Sequence, residues 1–328
     1  MTASDSTVYL RLPNWIGDVC MALPSLDAVL NSDLPTVVCA RPWAKDLLQA
    51  YRIAGFIPMS GSWTTDRQRV AKHRRQNVHG RALGLLLPDS LSSALVFRFA
   101  GIQCAGYRDD GRSILLKWSF KKPTPKPHAV QSWFKLTRAA LDAWACPLPP
   151  AEPGPALNLT PTPEHEVAAK AQLARVGLKP GQFVLIAPTA TGRHKGQLKV
   201  WPGFDALTRA LQQKGLRVAM CPPPNEKAEA LQNAPTALCL DSLDLGAFAT
   251  LTRMSALVIC NDSGVSHLAA AAGAQQLTLF GVTHAKFTGP WSSSAVNLGE
   301  MGHWPDINSV LEQTLQLLND KSPRAQQP

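Results

Sequence analysis

The feature that most constrains the fold is a repeated alternation of short apolar segments with longer segments of helical pattern. Apolar segments predict strands at 7–12, 35–40, 183–188, 217–222, 237–241, 256–262 and 275–281. Helical patterns follow in the second half, over 201–215, 225–234, 245–254 and 263–274. Strands that alternate with helices form parallel sheets covered by helices on both faces. The sequence therefore predicts an α/β protein with Rossmann-like, doubly wound sheets.

A proline-crowded stretch at 147–163 is typical of an extended linker between domains. A chain of 328 residues is long for one domain and sufficient for two, each with its own core. We predict an N-terminal domain over 1–150, a C-terminal domain over 151–320 and a disordered tail over 321–328. A further expectation concerns Pro24, which should kink or restart the helical stretch from Val19 to about Leu30.

The positive charge is concentrated in the first half of the chain. Residues 1–160 carry 19 Lys+Arg against 11 Asp+Glu, a net +8, whereas residues 161–328 carry 14 against 12, a net +2. The densest segment, 67–81, contains the cations Arg67, Arg69, Lys72, Arg74 and Arg75. This asymmetry favours an anionic partner such as a phosphorylated lipid or a nucleic acid. A merely basic, solvated surface is the alternative.

The seven cysteines are odd in number, and no pair has the short spacing of a zinc or redox motif. Several lie in apolar runs, as buried thiols do, which favours a reducing compartment. The N-terminus lacks the cationic start and apolar core of a signal peptide. No apolar run approaches the roughly 18–20 residues of a membrane span. We therefore predict a cytoplasmic protein whose contact with the inner membrane, if it has one, is peripheral.

The first candidate site is the turn that follows the first strand, Pro13-Asn14-Trp15-Ile16-Gly17-Asp18. Ligands of doubly wound folds collect at the carboxyl ends of strands. Gly17 lets a ligand approach the backbone, and Asp18 adds a carboxylate beside it. The alternative is that Asp18 caps the following helix.

The second candidate site is Cys260–His267, where a strand ends in a polar turn and leads into an alanine-rich helix. The N–H groups and the dipole at such a helix start suit an anion such as a diphosphate. Ser263 is a natural N-cap, Asp262 is placed to bind sugar hydroxyls, and His267 lies one turn into the helix. A capped helix with a packed histidine is the alternative.

The third candidate site is the loop 189–199, which combines glycines, threonines and cations directly after a strand. It is neither a P-loop nor a dinucleotide-binding glycine motif. Its composition nevertheless suits a phosphate, and one of four basic side chains is expected to contact it. The sequence does not choose among Arg193, His194, Lys195 and Lys199.

Together these sites resemble the ADP-heptose:lipopolysaccharide heptosyltransferases, glycosyltransferase family 9. The resemblance covers most of the chain and is strongest at PNWIGD (13–18), at NDSGVSHLAAAAG (261–273) with LFG (279–281), and at the lysine two residues before Trp201-Pro202. The segment 100–116 is more similar to the second heptosyltransferase of the inner core than to the first.

The resemblance implies a GT-B fold, with two domains facing a cleft, and an inverting transfer that needs no metal and no cofactor. It implies a heptose donor, ADP-heptose, and an anionic lipid A/Kdo-type acceptor at the inner face of the membrane, with no nucleic acid as partner. Asp18 would be the general base, since a carboxylate can take the acceptor proton while cations stabilise the departing diphosphate. From the charge asymmetry we predict that Arg108 and Arg112 bind this acceptor, and we add Asn14, Trp15 and Gly17 of the first turn to the acceptor-binding residues of the N-terminal domain. The donor-binding residues would be Thr189, Thr191, Lys199, Glu226, Asp262, Ser263, Gly264 and His267 in the C-terminal domain.

One departure from the family concerns the loop 189–199, which is longer and more cationic than expected. The loop leaves open whether another nucleotide sugar or acceptor replaces those of the family. Two further alternatives are a nucleotide-sugar epimerase of the same fold and a non-catalytic protein that binds anionic lipid or nucleic acid. The sequence does not fix the oligomeric state.

Overall fold

A computed structural model describes residues 6–194 and 196–320, and the side chains of Arg193 and His194 are outside this description. The predicted disordered tail, 321–328, also lies outside the described residues. The chain divides after Thr160 into two compact units, the N-terminal unit and the C-terminal unit.

The division falls later than the predicted boundary at residue 150, because residues 151–160 contact the N-terminal unit. Lys135 forms an ion pair with Glu152 at 3.1 Å. The hydroxyl of Tyr51 donates to the backbone oxygen of Asn158 at 3.5 Å. Residues of the proline-rich stretch up to Thr160 therefore belong to the N-terminal unit.

The N-terminal unit contains a six-stranded parallel sheet in the order β3-β2-β1-β4-β5-β6. Its strands are β1 (Ser6–Arg11), β2 (Thr36–Ala40), β3 (Gly55–Pro58), β4 (Arg81–Leu86), β5 (Gln103–Tyr107) and β6 (Trp118–Phe120). Its helices are α1 (Ile16–Met21), α2 (Leu23–Leu30), α3 (Ala44–Leu47), α4 (Trp63–Asn77), α5 (Leu91–Phe99) and α6 (Ala129–Ala143), with a 3-10 turn at Arg112–Leu115. The order is that of a Rossmann sheet, whose ligand-binding switch point lies between β1 and β4.

Pro24 separates two helices, as predicted. It lies in the first turn of α2, where a missing N–H costs nothing, and α1 ends before it at Met21. Five of the six residues of β1 are buried, so both faces of this central strand are covered. Tyr9 joins a cluster with Val70 of α4 and Phe97 of α5.

The C-terminal unit repeats the same topology in a six-stranded parallel sheet ordered β11-β10-β7-β12-β13-β14. Its strands are β7 (Val184–Ala187), β8 (Arg193–His194), β9 (Gln197–Leu198), β10 (Val218–Met220), β11 (Leu238–Cys239), β12 (Leu257–Asn261), β13 (Gln276–Leu279) and β14 (Ala295–Leu298), of which β8 and β9 form a separate hairpin. Its helices are α7 (Pro163–Arg175), α8 (Phe204–Gln213), α9 (Lys227–Asn233), α10 (Leu245–Met254), α11 (Gly264–Ala271), α12 (Ala285–Thr288) and α13 (Ile307–Asn319), with a 3-10 turn at Pro224–Glu226.

Neighbouring residues of β7 pack into different cores. Ile186 lies in a cluster with Leu207 of α8, whereas Leu185 lies in a cluster with Leu173 of α7 and Leu251 of α10. Side chains of a strand alternate between the two faces of its sheet, so helices cover both faces here. This arrangement confirms the predicted doubly wound α/β fold. Among the described residues, no helix combines the length and the apolar character that crossing a membrane requires.

Candidate active site

Four loops of the C-terminal unit carry polar residues at the carboxyl ends of neighbouring strands. Thr189 follows β7, Glu226 follows β10, Asp262 follows β12 and Thr283 follows β13. Because β10, β7, β12 and β13 are adjacent and parallel, these loops emerge from one side of the sheet. This side includes the switch point between β7 and β12, which is where doubly wound sheets bind ligands.

Thr189 and Glu226, both predicted to bind the donor, contact each other. The Thr189 hydroxyl donates a hydrogen bond to Oε2 of Glu226. Thr189 is buried, and Glu226 is held in the 3-10 turn that precedes α9. This hydrogen bond holds the Glu226 carboxylate in place. Carboxylate oxygens accept hydrogen bonds, so the group can bind hydroxyl groups of a ligand.

Lys199 and Asp262, also predicted donor residues, form an ion pair. Nζ of Lys199 lies 2.6 Å from Oδ2 of Asp262, and their side chains are 19% and 6% exposed. The Thr283 hydroxyl donates to the same Oδ2 at 2.5 Å. The amine therefore compensates the charge of a carboxylate that is almost buried, and both groups stand at the carboxyl end of the sheet.

Asn261 organises this region, and the sequence analysis did not assign it a role. Its side chain is fully buried; Oδ1 accepts from the backbone N–H of Trp201 at 2.8 Å. Nδ2 donates to the backbone oxygens of Ala187 and Thr189, both at 3.4 Å. Asn261 thus joins the end of β12 to the loop after β7 and to the segment after Lys199. A polar residue that ends an otherwise apolar strand, LVICN, was the signal available in the sequence.

Helix α11 begins as predicted, with Ser263 as its N-cap. The Ser263 hydroxyl accepts from the backbone N–H of Val265 at 3.3 Å, and Gly264 is the first helical residue. His267 is buried one turn into the helix. The helix start directs N–H groups and a partial positive charge toward the region beside Asp262, as anion sites require.

The predicted phosphate loop 189–199 contains a small hairpin. Strands β8 and β9 pair Arg193 with Leu198, and the intervening Gly196 has a φ of 83°. Thr191 is exposed, whereas Lys199 lies beyond the hairpin in its ion pair. Lys195, one of the predicted candidate cations, lies outside the described residues.

In the N-terminal unit, the predicted turn 13–18 is shorter than expected. Helix α1 begins at Ile16, so Gly17 and Asp18 lie in its first turn and not in the preceding loop. The N-cap residue is Trp15, whose side chain makes no capping hydrogen bond, and Asp18 is an acidic residue in the first turn. Asp18 is half-buried, whereas Asn14 and Trp15 are exposed, the latter to 69%.

Arg11, at the end of β1, holds this turn in place. Its guanidinium is buried and donates to the backbone oxygens of Leu12 and Cys39. It also donates to Oδ1 of Asn14 at 2.6 Å. Burial lowers the pKa of Arg11, as expected for a cation removed from water. This role is not visible in the sequence, because a lone arginine in a strand belongs to no motif.

The prediction that Arg112 binds an acceptor is corrected by its burial. The side chain is 0% exposed; Nε donates to the backbone oxygen of Tyr107 at 2.8 Å, and NH1 donates to that of Pro88. NH2 lies 3.4 Å from Oδ1 of Asp89. Arg112 therefore ties the loop after β4 to the end of β5 and has no surface to offer a ligand. Arg108, its predicted companion, is exposed.

The cationic segment after residue 67 lies on α4, in agreement with the interpretation of a solvated helix face. Arg69, Lys72 and Arg75 are exposed. Arg67 and Arg74 are half-buried, and the Arg67 guanidinium lies 5.9 Å from the centre of the Trp63 ring. A cation over an indole is a favourable contact. The helix therefore presents several exposed charges of one sign on a single element, which suits an acidic partner.

The cysteines contribute packing and not chemistry at these sites. All seven are free thiols, and six are buried, as their apolar surroundings predicted. Cys260 precedes Asn261, and burial raises its pKa to about 12. Burial also raises the pKa of Cys20, and the nearby Asp18 adds to that effect. Neither thiol is a nucleophile at neutral pH, because the thiolate is the reactive form.

Comparison with known proteins identifies the family of this chain. Residues 70–317 match glycosyltransferase family 9 (heptosyltransferase). The chain belongs to this family. The lipooligosaccharide heptosyltransferase 2 of Haemophilus influenzae is 28% identical over 307 residues, covering 86% of this chain and 85% of that protein.

Two solved structures of family proteins have the same fold. The ADP-heptose lipopolysaccharide heptosyltransferase II of Escherichia coli superposes with a TM-score of 0.76 at 23% identity, covering 96% of this chain and 99% of that one. The E. coli heptosyltransferase WaaC with ADP gives a TM-score of 0.72 at 17% identity, covering 95% and 99%. The family resemblance inferred from PNWIGD and NDSG is thereby confirmed, and the chain is a GT-B glycosyltransferase homologue with two Rossmann-like domains.

Proposed function

We propose that this glycosyltransferase moves a heptose from ADP-heptose to an inner-core lipopolysaccharide acceptor. The observation that carries the proposal is the cluster at the carboxyl ends of β7, β10, β12 and β13 in the C-terminal unit. There a hydroxyl–carboxylate pair, Thr189 with Glu226, accompanies an amine–carboxylate pair, Lys199 with Asp262. The names of the relatives agree with this choice of donor and acceptor, since they are heptosyltransferases of lipooligosaccharide or lipopolysaccharide.

In this proposal, the diphosphate of ADP-heptose binds at the start of α11 and contacts Lys199. Backbone N–H groups near Ser263 and Gly264 stabilise negative charge on the departing diphosphate, and Lys199 adds a cation. Glu226 accepts hydrogen bonds from ribose hydroxyls, and Asp262 accepts them from the sugar. Thr191 and His267 complete the proposed donor set. On this proposal the transfer needs no metal, so turnover should survive EDTA.

Asp18 of the N-terminal unit is the proposed general base for the acceptor. Its carboxylate takes the proton of the acceptor hydroxyl as that oxygen attacks the anomeric carbon of the sugar. The bond from the anomeric carbon to the diphosphate oxygen breaks, ADP leaves, and the configuration inverts. Asn14, Trp15, Gly17 and Arg108 are the proposed acceptor contacts.

The same proposal includes peripheral contact with an anionic membrane that holds the acceptor. It is supported by the net +8 of residues 1–160 and by the exposed cations of α4, Arg69, Lys72 and Arg75. Cations near an acidic lipid surface are attracted by about 1 kcal/mol each.

The test is the release of ADP from ADP-heptose, measured with and without a deacylated lipid A–Kdo acceptor. Heptosyl transfer predicts ADP release that depends on the acceptor, together with an acceptor whose mass grows by one heptose. An epimerase would change the nucleotide sugar without an acceptor. A lipid-binding protein would do neither, and UDP- or GDP-sugars that outperform ADP-heptose would reject the assigned donor.

A further inference from the structure

The ion pair between Lys199 and Asp262 lies where the proposed function places a diphosphate. Nζ and Oδ2 are 2.6 Å apart, and the Asp262 side chain is 6% exposed. A carboxylate that is almost buried repels a second anion more strongly than it would in water, since the effective dielectric constant is lower. Lys199 compensates this charge while the two groups are paired. When a bound diphosphate draws the amine away, the carboxylate loses that compensation and opposes the anion beside it.

The two nucleotides of the proposed reaction differ in charge and in hydrogen-bond donors. The terminal phosphate of a nucleotide sugar is esterified by the sugar, so it lacks the second ionisation of a free terminal phosphate, which has a pKa of about 6. At neutral pH the nucleoside diphosphate product thus carries about one more negative charge than the donor. The donor also brings sugar hydroxyls, which donate to a carboxylate, and the product has lost them.

We infer that Asp262 makes the site discriminate between the nucleotide sugar and the nucleoside diphosphate that remains after transfer. This inference rests on the proposed donor site. With the donor bound, sugar hydroxyls satisfy the Asp262 carboxylate. After the sugar has been transferred, the same carboxylate repels the more highly charged nucleoside diphosphate. This repulsion lowers the affinity of the site for the product and favours its release.

Thr283 is the positioning residue in this scheme. Its hydroxyl donates to the Oδ2 that also meets Lys199, so two donors fix one oxygen of Asp262. Thr283 lies in the loop after β13, two residues beyond the LFG segment of the family motif. Without this hydroxyl, Lys199 alone of these two donors still holds the carboxylate. The carboxylate is then less well oriented, and its hydrogen bonds with the sugar hydroxyls weaken.

The experiment measures the Kd of ADP and of ADP-heptose by titration calorimetry and compares their ratio, Kd(ADP)/Kd(ADP-heptose). Asp262→Asn keeps the size of the side chain but removes its charge. We expect this variant to bind ADP about tenfold more tightly than the wild type, because a like charge at short range is gone. Its affinity for ADP-heptose should not improve to the same extent, so the ratio should fall. Glu312→Gln, which removes an exposed carboxylate from α13 in the same unit, is the control for net charge and should change neither Kd.

Thr283→Val supplies a second measurement that leaves the charge of the site unchanged. It should lower the ratio about threefold, chiefly by weakening ADP-heptose binding, and Thr283→Ser should restore the ratio. A folded Asp262→Asn protein that binds ADP no more tightly than the wild type would overturn the inference, as would a Thr283→Val protein with an unchanged ratio. In both cases the wild type would still bind ADP. Failure of the wild type to bind ADP or ADP-heptose is a different result, and it would reject the proposed function itself.

Discussion

The replacement Asn261→Ala tests whether one buried amide holds the candidate donor region together. Asn261 is fully buried and bonds three backbone groups that belong to separate segments, at Trp201, Ala187 and Thr189. Alanine removes all three hydrogen bonds and leaves a small gap at the end of β12. We expect the C-terminal unit to lose stability and the loop after β7 to lose its fixed position.

The magnitude follows from the quality of the three bonds. The bond from the Trp201 N–H is short, at 2.8 Å, and a buried donor left without a partner costs about 1–3 kcal/mol. The two contacts at 3.4 Å are near the limit of hydrogen-bond geometry and add less. Trp201 stays anchored in its core, since its indole N–H donates to the backbone oxygen of Pro305 at 2.8 Å. The expected total is about 2–3 kcal/mol, or about 4–12 °C in the Tm of a unit of this size.

The assay combines calorimetric melting with the KM for the nucleotide sugar. Asn233→Ala is a matched control, because this amide donates to the same loop at Pro188 (2.8 Å) but accepts from no buried N–H in that contact. It should cost about 1 kcal/mol. Asn261→Asp keeps the acceptor but buries a carboxylate facing two carbonyl oxygens. Burial favours its protonated form, so its loss of stability should grow as the pH rises above about 4. A Tm within 1 °C of wild type (about 0.3 kcal/mol) and an unchanged KM for Asn261→Ala would refute the reasoning.

Four other outcomes are expected. Asp18→Asn should lower kcat by about 10²- to 10⁴-fold while the protein stays folded, since a positioned base contributes about that much; near wild-type turnover would reject its role. Arg112→Ala should destabilise the N-terminal unit by about 2–4 kcal/mol in urea unfolding, because it strips buried carbonyls of a donor; full stability with only a raised acceptor KM would restore the original assignment. Burial raises the pKa of Asp27 to about 6, above its unfolded value, so its contribution to stability is present below pH 4 and is lost as the pH rises through 6. Asp27→Asn should therefore be the more stable protein at pH 7.5, by about 1–2 kcal/mol after allowing for partial exposure, and this advantage should vanish near pH 4; an equal difference at both pH values would contradict the assigned cause. Charge reversal of Lys72 and Arg75 to Glu should weaken sedimentation with anionic vesicles in low salt, by about 1 kcal/mol or more per site; equal binding to neutral vesicles would argue against the electrostatic contact.

The sheets were predictable because each central strand is an uninterrupted apolar run bounded by polar turns. Residues 184–187 and 257–261 lie inside the strands predicted at 183–188 and 256–262. The same patterns give the positions of Ser263 and Asp262, since a polar residue directly after a buried strand must lie at its carboxyl end. Helix α13 was not predicted, although Asp306 before an amphipathic segment is a recognisable start signal.

The missing parts of the site depend on contacts between residues distant in sequence. Asn261 bonds partners 60 to 74 positions away, so no local pattern distinguishes it from a solvated amide. Arg112 is a similar case: an arginine directly after Gly111 has the same local sequence whether its guanidinium points into solvent or into the loop after β4. The hairpin of β8 and β9 has only two residues in each strand, which is too short for a periodic pattern.

The two units share one sheet order, so sheet topology alone does not distinguish them, whereas the charged groups at their strand ends differ. In the C-terminal unit, the carboxylate of Asp262 is matched by an amine at 2.6 Å, and Glu226 is matched by a hydroxyl. Such balanced pairs suit a ligand that carries both phosphates and hydroxyls, because each partner can exchange its contact for one with the ligand. In the N-terminal unit, Asp18 stands in the first turn of α1 next to the exposed Trp15, on a half of the chain with a net +8. A carboxylate at this place can take the proton of an acceptor hydroxyl as that oxygen attacks the sugar. The proposed function has the donor in the C-terminal unit and the base in the N-terminal unit. An Asp18→Asn protein that still binds ADP but no longer transfers sugar would separate the two roles.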